Sequence, residues 1–335
     1  MTKKLAIRRR CSTSRRTWWN WICCVILLVC LAAQAQTAKR AAANTASKPA
    51  PTNTAYSKLT NAESAMDKQD WITAEQALLD LTTGKEYVAR AWFDLGYVYH
   101  ATGRRPEAVD AYRKAVAADP TVFESNLDLG LLLVGSNDPE AARYLKAATA
   151  LKPTSHPERQ MSRAWFGLGR ALAASDPAGA AEALKRGLAL DAKNADAHLE
   201  LGELRGRAND WAGAEKEFAA AAEIDPKSAD AQAMLANAYM RQNKMPQAEV
   251  ALRNVLTADP QNESAHLQLG RVLVTQQRLA EAQEEFQKAS ELKPEDSDAL
   301  REIASVSIAR KYYPEAEAAS RKLLEKNPRD AQLHH

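Results

Sequence analysis

Apolar residues recur along most of this chain at helical spacing. In residues 91–120, AWFDLGYVYHATGRRPEAVDAYRKAVAADP, Leu95 and Tyr99 stand four apart, as do Ala108 and Tyr112. Each pair lies on one face of a helix, so the segment predicts two amphipathic helices joined as a hairpin. Proline after an acid at Asp119-Pro120 stops the second helix and sets the turn into the next one. The unit then repeats. Small residues recur at Ala62, Gly96 and Gly130 in steps of 34, and at Gly202, Ala236, Gly270 and Ala304 again in steps of 34, with Gly169 between the two series. Second-helix alanines follow at Ala74, Ala108, Ala141, Ala180, Ala214, Ala248, Ala282 and Ala316, and prolines close five copies at Pro120, Pro226, Pro260, Pro294 and Pro328. A single hairpin cannot bury its stripe alone, so stability must come from stacking into a solenoid with a continuous core. Small residues such as Gly96 and Gly130 let the second helix approach closely, while Trp92, Trp165 and Phe218 are expected to fill the wider space between neighbouring hairpins.

The copies are not identical. Gly130 to Pro153 and Gly169 to Ala192 each span 23 residues where the regular copies have 24, so the third and fourth turns are expected to be tighter by one residue. Alanine also replaces the closing proline at position 192. The segment Thr154–Met161 adds about six residues between those copies, predicting either a hinge or contact loop or a tolerated surface insertion.

The spacing of Trp92, Leu95, Gly96, Tyr99, Ala108, Tyr112, Ala115 and Pro120 closely resembles the tetratricopeptide repeat. That resemblance implies an all-α, right-handed superhelical solenoid of eight helical hairpins over residues 55–330, with copies at about 55–88, 89–122, 123–155, 162–194, 195–228, 229–262, 263–296 and 297–330. The first, with Lys58 at the bulky position and Glu86 in place of proline, caps the end. The resemblance also implies a concave groove lined by the first helices, onto which the residues six and three before, and one and four after, each small residue project. These include Tyr56, Leu59, Arg90, Phe93, Tyr97, His100, Leu127, Leu131, Arg163, Phe166 and Arg170, then Leu199, Glu203, Asn237, Met240, Leu267, Arg271 and Arg301. Rings beside arginines suit a contact surface; the competing reading is that Phe93 and Leu127 merely pack against neighbouring first helices. Asp94, Asp128, Glu200 and Glu302 form an interrupted acidic row that either meets a basic peptide or is simply solvated.

Two groove types of this family fail by residue. The chaperone-tail clamp would require Lys where Ala233 stands, and Lys and Arg where Asp298 and Glu302 stand; the asparagine ladder of repeat-bearing sugar transferases would require Asn where Asp94, Asp128, Gly167, Glu200, Met234, Gln268 and Glu302 stand.

Composition alters the picture mainly at the N-terminus. Of 335 residues 46% are hydrophobic and only 6% aromatic, so alanine carries the core. The net charge of +3 is concentrated: residues 1–35 hold seven Lys/Arg and no acid, leaving 38 basic against 42 acidic groups in the remainder. That balance gives no footprint for nucleic acid or an anionic membrane. Basic residues to Arg16, an apolar run from Trp18 to Ala33 and the small residues of Ala33-Gln34-Ala35 predict a secretory signal over 1–35, placing the product in the periplasm or outside the cell. The alternative is an uncleaved inner-membrane anchor at residues 18–33, whose tryptophans would suit the interface. Ser14–Trp19 also resembles a twin-arginine signal. Residues 36–54 read as a flexible linker and 331–335 as a tail. All four cysteines fall at or before Cys30, so the repeats hold no disulfide, thiolate metal site or cysteine nucleophile.

No metalloprotease, calcium-loop, serine-hydrolase or phosphate-loop pattern occurs, and Gly167-Leu168-Gly169 lacks the third glycine of a dinucleotide fingerprint. His198 and His266 occupy bulky packing positions and are expected to be core or half-buried. The acids of Glu215-Lys216-Glu217 and Glu284-Glu285 are expected on a solvated outer face. The expectation is an exported, non-enzymatic interaction scaffold that needs no cofactor or metal and holds a protein or peptide in its groove. A cell-envelope accessory binding glycan, with Tyr56, Phe93, Tyr97 and Phe166 as stacking platforms, is the alternative.

Overall fold

The computed structural model describes residues 54–326. The expected signal, most of the linker, Pro328 and the C-terminal tail lie outside the described residues, where every element is an α-helix. The chain divides into two units, residues 1–77 and 78–335. In the first, α1 (Thr54–Asp67) buries Leu59, Ala62 and Ala65 along one face. The chain then turns through Gln69, at φ 58°, into the start of α2 (Trp71–Thr82), where the Asp70 carboxylate accepts a hydrogen bond from the Thr73 amide.

The second unit is built from α3 (Val88–Ala101), α4 (Arg105–Ala118), α5 (Phe123–Val134), α6 (Ala141–Thr149), α7 (Pro157–Leu172), α8 (Pro177–Leu190), α9 (Ala195–Arg207) and α10 (Trp211–Ile224). It continues with α11 (Ala229–Arg241), α12 (Met245–Ala258), α13 (Glu263–Thr275), α14 (Leu279–Leu292), α15 (Ser297–Ala309) and α16 (Tyr313–Lys326). From α3 onward every helix touches the next, and first helices also meet directly, α5 with α7 and α9 with α11. The hairpins therefore stack in chain order.

Size complementarity closes each hairpin. A β-carbon on Gly96, Gly202 or Gly270 would fall on the ring of Tyr112, Phe218 or Phe286, and one on Gly130 or Gly169 would meet Leu145 or Leu184. Where the partner position holds Leu252, the first helix carries Ala236. The second-helix alanines, Ala108 through Ala282, are buried at the same depth in every copy, which is how a chain poor in aromatics fills its core.

The turns correct several expectations. The rings of Trp92 and Trp165 are half-buried, and each has a cation from its own second helix beside it, Lys114 at 4.3 Å and Arg186 at 5.0 Å from the ring centroid. Phe218 meets Gly202 within its hairpin and Ala231 and Leu235 of the next. The residue seven after the small residue adopts a left-handed conformation in Gly103, Asn137, Asn209, Asn243, Gln277 and Lys311. The following amide then reaches back to a helix carbonyl, as from Arg278 to Leu273 at 2.9 Å, a Schellman-type ending. The fourth copy lacks that left-handed residue: α7 ends early at Leu172 and Asp176 caps α8 through the Gly179 amide. The missing residue is thus taken from the end of α7, and the closing turn 191–194 has as many residues as 225–228 in the next copy. Part of the insertion is helical, because Pro157–Met161 extends α7 at its start; Thr154–His156 remain in the connecting loop, where Thr154 is tied to Glu124 through both its amide and its hydroxyl.

Asp119, Asp225 and Asp259 are extended before their prolines, as the proline ring demands. Asp191 adopts the same conformation before Ala192, and its carboxylate accepts from the Lys193 amide just as Asp225 accepts from Lys227. An aspartate turn therefore closes the fourth copy without proline.

The acid runs split rather than facing solvent together. Lys216 and Glu284 are exposed, but Glu285 is buried and Glu215 and Glu217 are half-buried. Glu215 accepts from Lys244 and Gln242 of the next hairpin. Glu217 lies 2.8 Å from His198 Nδ1 and 3.2 Å from Arg205. Glu285 lies 2.6 Å from His266 Nδ1 and 2.9 Å from Lys288. His198 is half-buried and His266 buried, as their packing positions predicted.

Candidate functional site

The first helices differ chemically from copy to copy, and each sequence-predicted contact residue has a definite place on them. On α3, Arg90 bonds the buried Asp94 carboxylate at 2.8 Å and lies 5.8 Å from the Phe93 ring. Phe93 is half-buried and tilted on Tyr112, with centroids 5.7 Å apart, whereas Tyr97 (47% exposed) and His100 face solvent. Leu131 on α5 is half-buried, its Cδ2 only 2.6 Å from where a Gly167 β-carbon would stand, so that glycine lets neighbouring first helices close up. Arg163 and Arg170 on α7, Asn237 on α11 and Arg271 on α13 are exposed. Tyr56 is exposed on α1, in the first unit.

Phe166 is only partly where it was expected: its ring is buried among Leu184, Ala197 and Leu201, set where a Gly187 side chain would otherwise go, and only its edge reaches the groove wall. Leu59, Leu127 and Leu267 are likewise buried. A large apolar side chain at these positions gains more by turning into the gap between adjacent helices than by facing water.

The acidic row and the arginines prove to be one set of ion pairs. Arg170 meets Glu200 at 3.1 Å and Arg271 meets Glu302 at 2.7 Å, each bridging one copy to the next, while Arg163 lies 4.0 Å from Asp128 in the copy before. Burial raises the Asp128 carboxyl above its usual range, against the pull of Arg163 and His100. Desolvation pushes Glu200 up to about 7; Asp196 and Glu203 add to this and Arg170 opposes it.

Two cavities open along this face. One, of about 510 Å³, is bordered by Tyr87, Arg90, Phe93, Val122, Glu124 and Thr154. The other, of about 370 Å³, lies between α7, α9 and α11 and is bordered by Arg170, Asp196, Leu199, Glu200, Asp230 and Met234. Asp196 and Asp230 were missed, although both stand six before their small residues and the groove rule would have found them. Among the described residues no group of three His, Cys, Asp or Glu is arranged to hold a metal ion, and no helix is long and apolar enough to cross a membrane.

One tetratricopeptide-repeat profile matches residues 59–122, 127–195 and 170–229, and a second matches 207–269 and 247–301. The chain belongs to the tetratricopeptide-repeat family. It is similar in fold to the C-terminal part of a tetratricopeptide-repeat protein from Cytophaga hutchinsonii, with a TM-score of 0.64 at 14% identity, over 72% of this chain and 98% of that one. It is also similar to YrrB, described as a tetratricopeptide-repeat protein with an unusual peptide-binding site, with a TM-score of 0.51 at 18% identity, over 58% of this chain and 97% of that one. No curated protein sequence matches. Tetratricopeptide-repeat proteins are protein-interaction scaffolds and typically lack enzymatic activity of their own.

Proposed function

We propose that this tetratricopeptide-repeat chain is an exported, non-enzymatic scaffold that holds an extended segment of a partner protein along its first-helix face. One observation carries the reading. Residues closing the hairpins are buried and nearly alike in every copy, whereas the exposed positions on the first helices differ in each: Tyr97 and His100, then Arg170, Asn237 and Arg271. A uniform core with a varied exposed face is how a stacked-repeat protein separates stability from recognition. Burial of Phe166 leaves only its edge toward the groove, which takes away one of the four rings a glycan-stacking surface would use and favours a protein partner.

Tyr97→Ala is expected to weaken partner binding by about 2 kcal/mol, as exposed aromatic anchors do, with little change in melting temperature. A large fall in melting temperature with binding intact would remove Tyr97 from the face. The basic, apolar and small-residue run of 1–35 supports export. Intact mass of the exported protein is expected to begin at Gln36, with no titratable thiol; retention of Trp18 in a membrane-bound product would establish the anchor instead.

A further inference from the structure

The two cavities on the first-helix face differ in charge. The larger one has Lys85 and Arg90 against Asp119 and Glu124 on its border and so favours neither sign. The smaller one has four carboxylates, Asp196, Glu200 and Glu203 from α9 and Asp230 from α11, against the single guanidinium of Arg170. Arg170 is already held by Glu200 at 3.1 Å, and Glu203 by Arg207 at 3.2 Å. Asp196 and Asp230 have no ion-pair partner among the described residues. Leu199 and Met234, both half-buried, and the edge of Phe166 supply apolar surface beneath this acidic rim.

Asp196 and Asp230 each stand in the first turn of their helix, where a carboxylate complements the helix dipole. That accounts for an acid at each place. It does not account for an open apolar floor beneath four acids and one neutralised base. Such a site matches a side chain with a hydrocarbon stem and a cationic head, which lays the stem on apolar surface and keeps the head among carboxylates.

We propose that the cavity between α7, α9 and α11 is the specificity pocket of the groove and receives a lysine or arginine side chain from an extended segment of a partner protein, its stem on Leu199 and Met234 and its charge among Asp196, Glu200 and Asp230. The assignment rests on the scaffold reading and adds the chemistry of the partner to it. The partner's basic residue relieves repulsion among these acids; after burial, Asp196 and Glu203 are what push the Glu200 carboxyl up.

The test uses fluorescein-labelled nonapeptide pools with Lys, Arg, Gln, Glu or Leu fixed at the centre and Ala, Leu, Ser and Gln mixed elsewhere, read by fluorescence polarisation at low and high salt. The Lys and Arg pools are expected to bind at least about 5-fold more tightly than the Gln pool and the Glu pool least, the preference shrinking as salt rises. Asp196→Asn combined with Asp230→Asn is expected to reduce the Lys-over-Gln preference below about 2-fold with the circular dichroism unchanged. Lys216→Glu on the outer face is expected to change nothing. Equal binding of the Lys and Gln pools, sensitive to Tyr97→Ala, would overturn the pocket while leaving the groove reading intact. Failure of every pool to bind, alike in wild type and all variants, would count against both. Displacement of the Lys pool by calcium or spermidine at concentrations where magnesium and putrescine do nothing would overturn the side-chain pocket in favour of a small-cation site.

Discussion

At the scale of single residues, two positions that meet directly in two hairpins, as His198–Glu217 and His266–Glu285, are filled in different ways in others. Four before and fifteen after the small residue, the chain places Trp92 with Ala111, Gln232 with Ala251, Leu300 with Ala319, and a histidine with a glutamate at His198/Glu217 and His266/Glu285. Burial pushes the Glu285 carboxyl up, but bonds from Lys288 and His266 hold it below its usual range. Removing one member strands the other in the core, so His266→Leu and Glu285→Ala are each expected to cost about 1–3 kcal/mol in denaturant melts. Together they recreate the Leu300/Ala319 pair and should recover most of that loss; additive costs would show that the histidine and glutamate are independent. Glu200 behaves oppositely. Its folded-state pKa is raised, so the folded protein holds more protons than the unfolded chain between the ordinary carboxylate range and about 7, and its contribution to stability falls as pH rises through that window. The stability of Glu200→Gln relative to wild type is therefore expected to increase from pH 4.5 to pH 7 and then level off. A difference that stays flat across the window would contradict the burial of this carboxyl.

At the scale of helices, the close contact between small residue and facing ring sets how near the two members of a hairpin come. A β-carbon on Gly270 would strike the Phe286 ring, so Gly270→Ala is expected to destabilise by about 1–3 kcal/mol. Adding Phe286→Leu reproduces the Ala236/Leu252 pairing of the preceding copy and should restore part of it. Hydrogen exchange of Gly270→Ala is expected to rise across α11–α16 and to stay near wild type in α3, because each hairpin leans on its neighbours only. Uniform loss of protection would mean that the stack behaves as one cooperative block.

Across the second unit, the stack of like hairpins gives a first-helix face whose chemistry changes copy by copy. Ion pairs such as Arg170–Glu200 and Arg271–Glu302 run along it from one first helix to the next. Each is exposed enough to contribute little to stability, but together they occupy the arginines that would otherwise attract an acidic partner. Two acids without an ion pair among the described residues, Asp196 and Asp230, stand together at one cavity. The larger cavity is thus balanced in charge and the one between α7, α9 and α11 is acidic, which is the reason a basic segment suits the latter better than an acidic one.

The helical hairpins, their number and order and the burial of the recurrent alanines could be read from the chain, because close helix packing requires small residues at fixed intervals and a stacked repeat shows the same requirement again and again. Even the family was legible from the spacing around Gly96. Side-chain direction was not. Phe166 and Phe93 share a register position, yet Phe166 is buried and Phe93 only half-buried. The difference depends on whether a glycine such as Gly187 has left room on the neighbouring helix. The pairing of His266 with Glu285, the tie of Thr154 to Glu124, and the carboxylates that surround one cavity arise between residues far apart in sequence. Their separations are set by small offsets between packed helices, and those offsets exist only once the whole stack has formed.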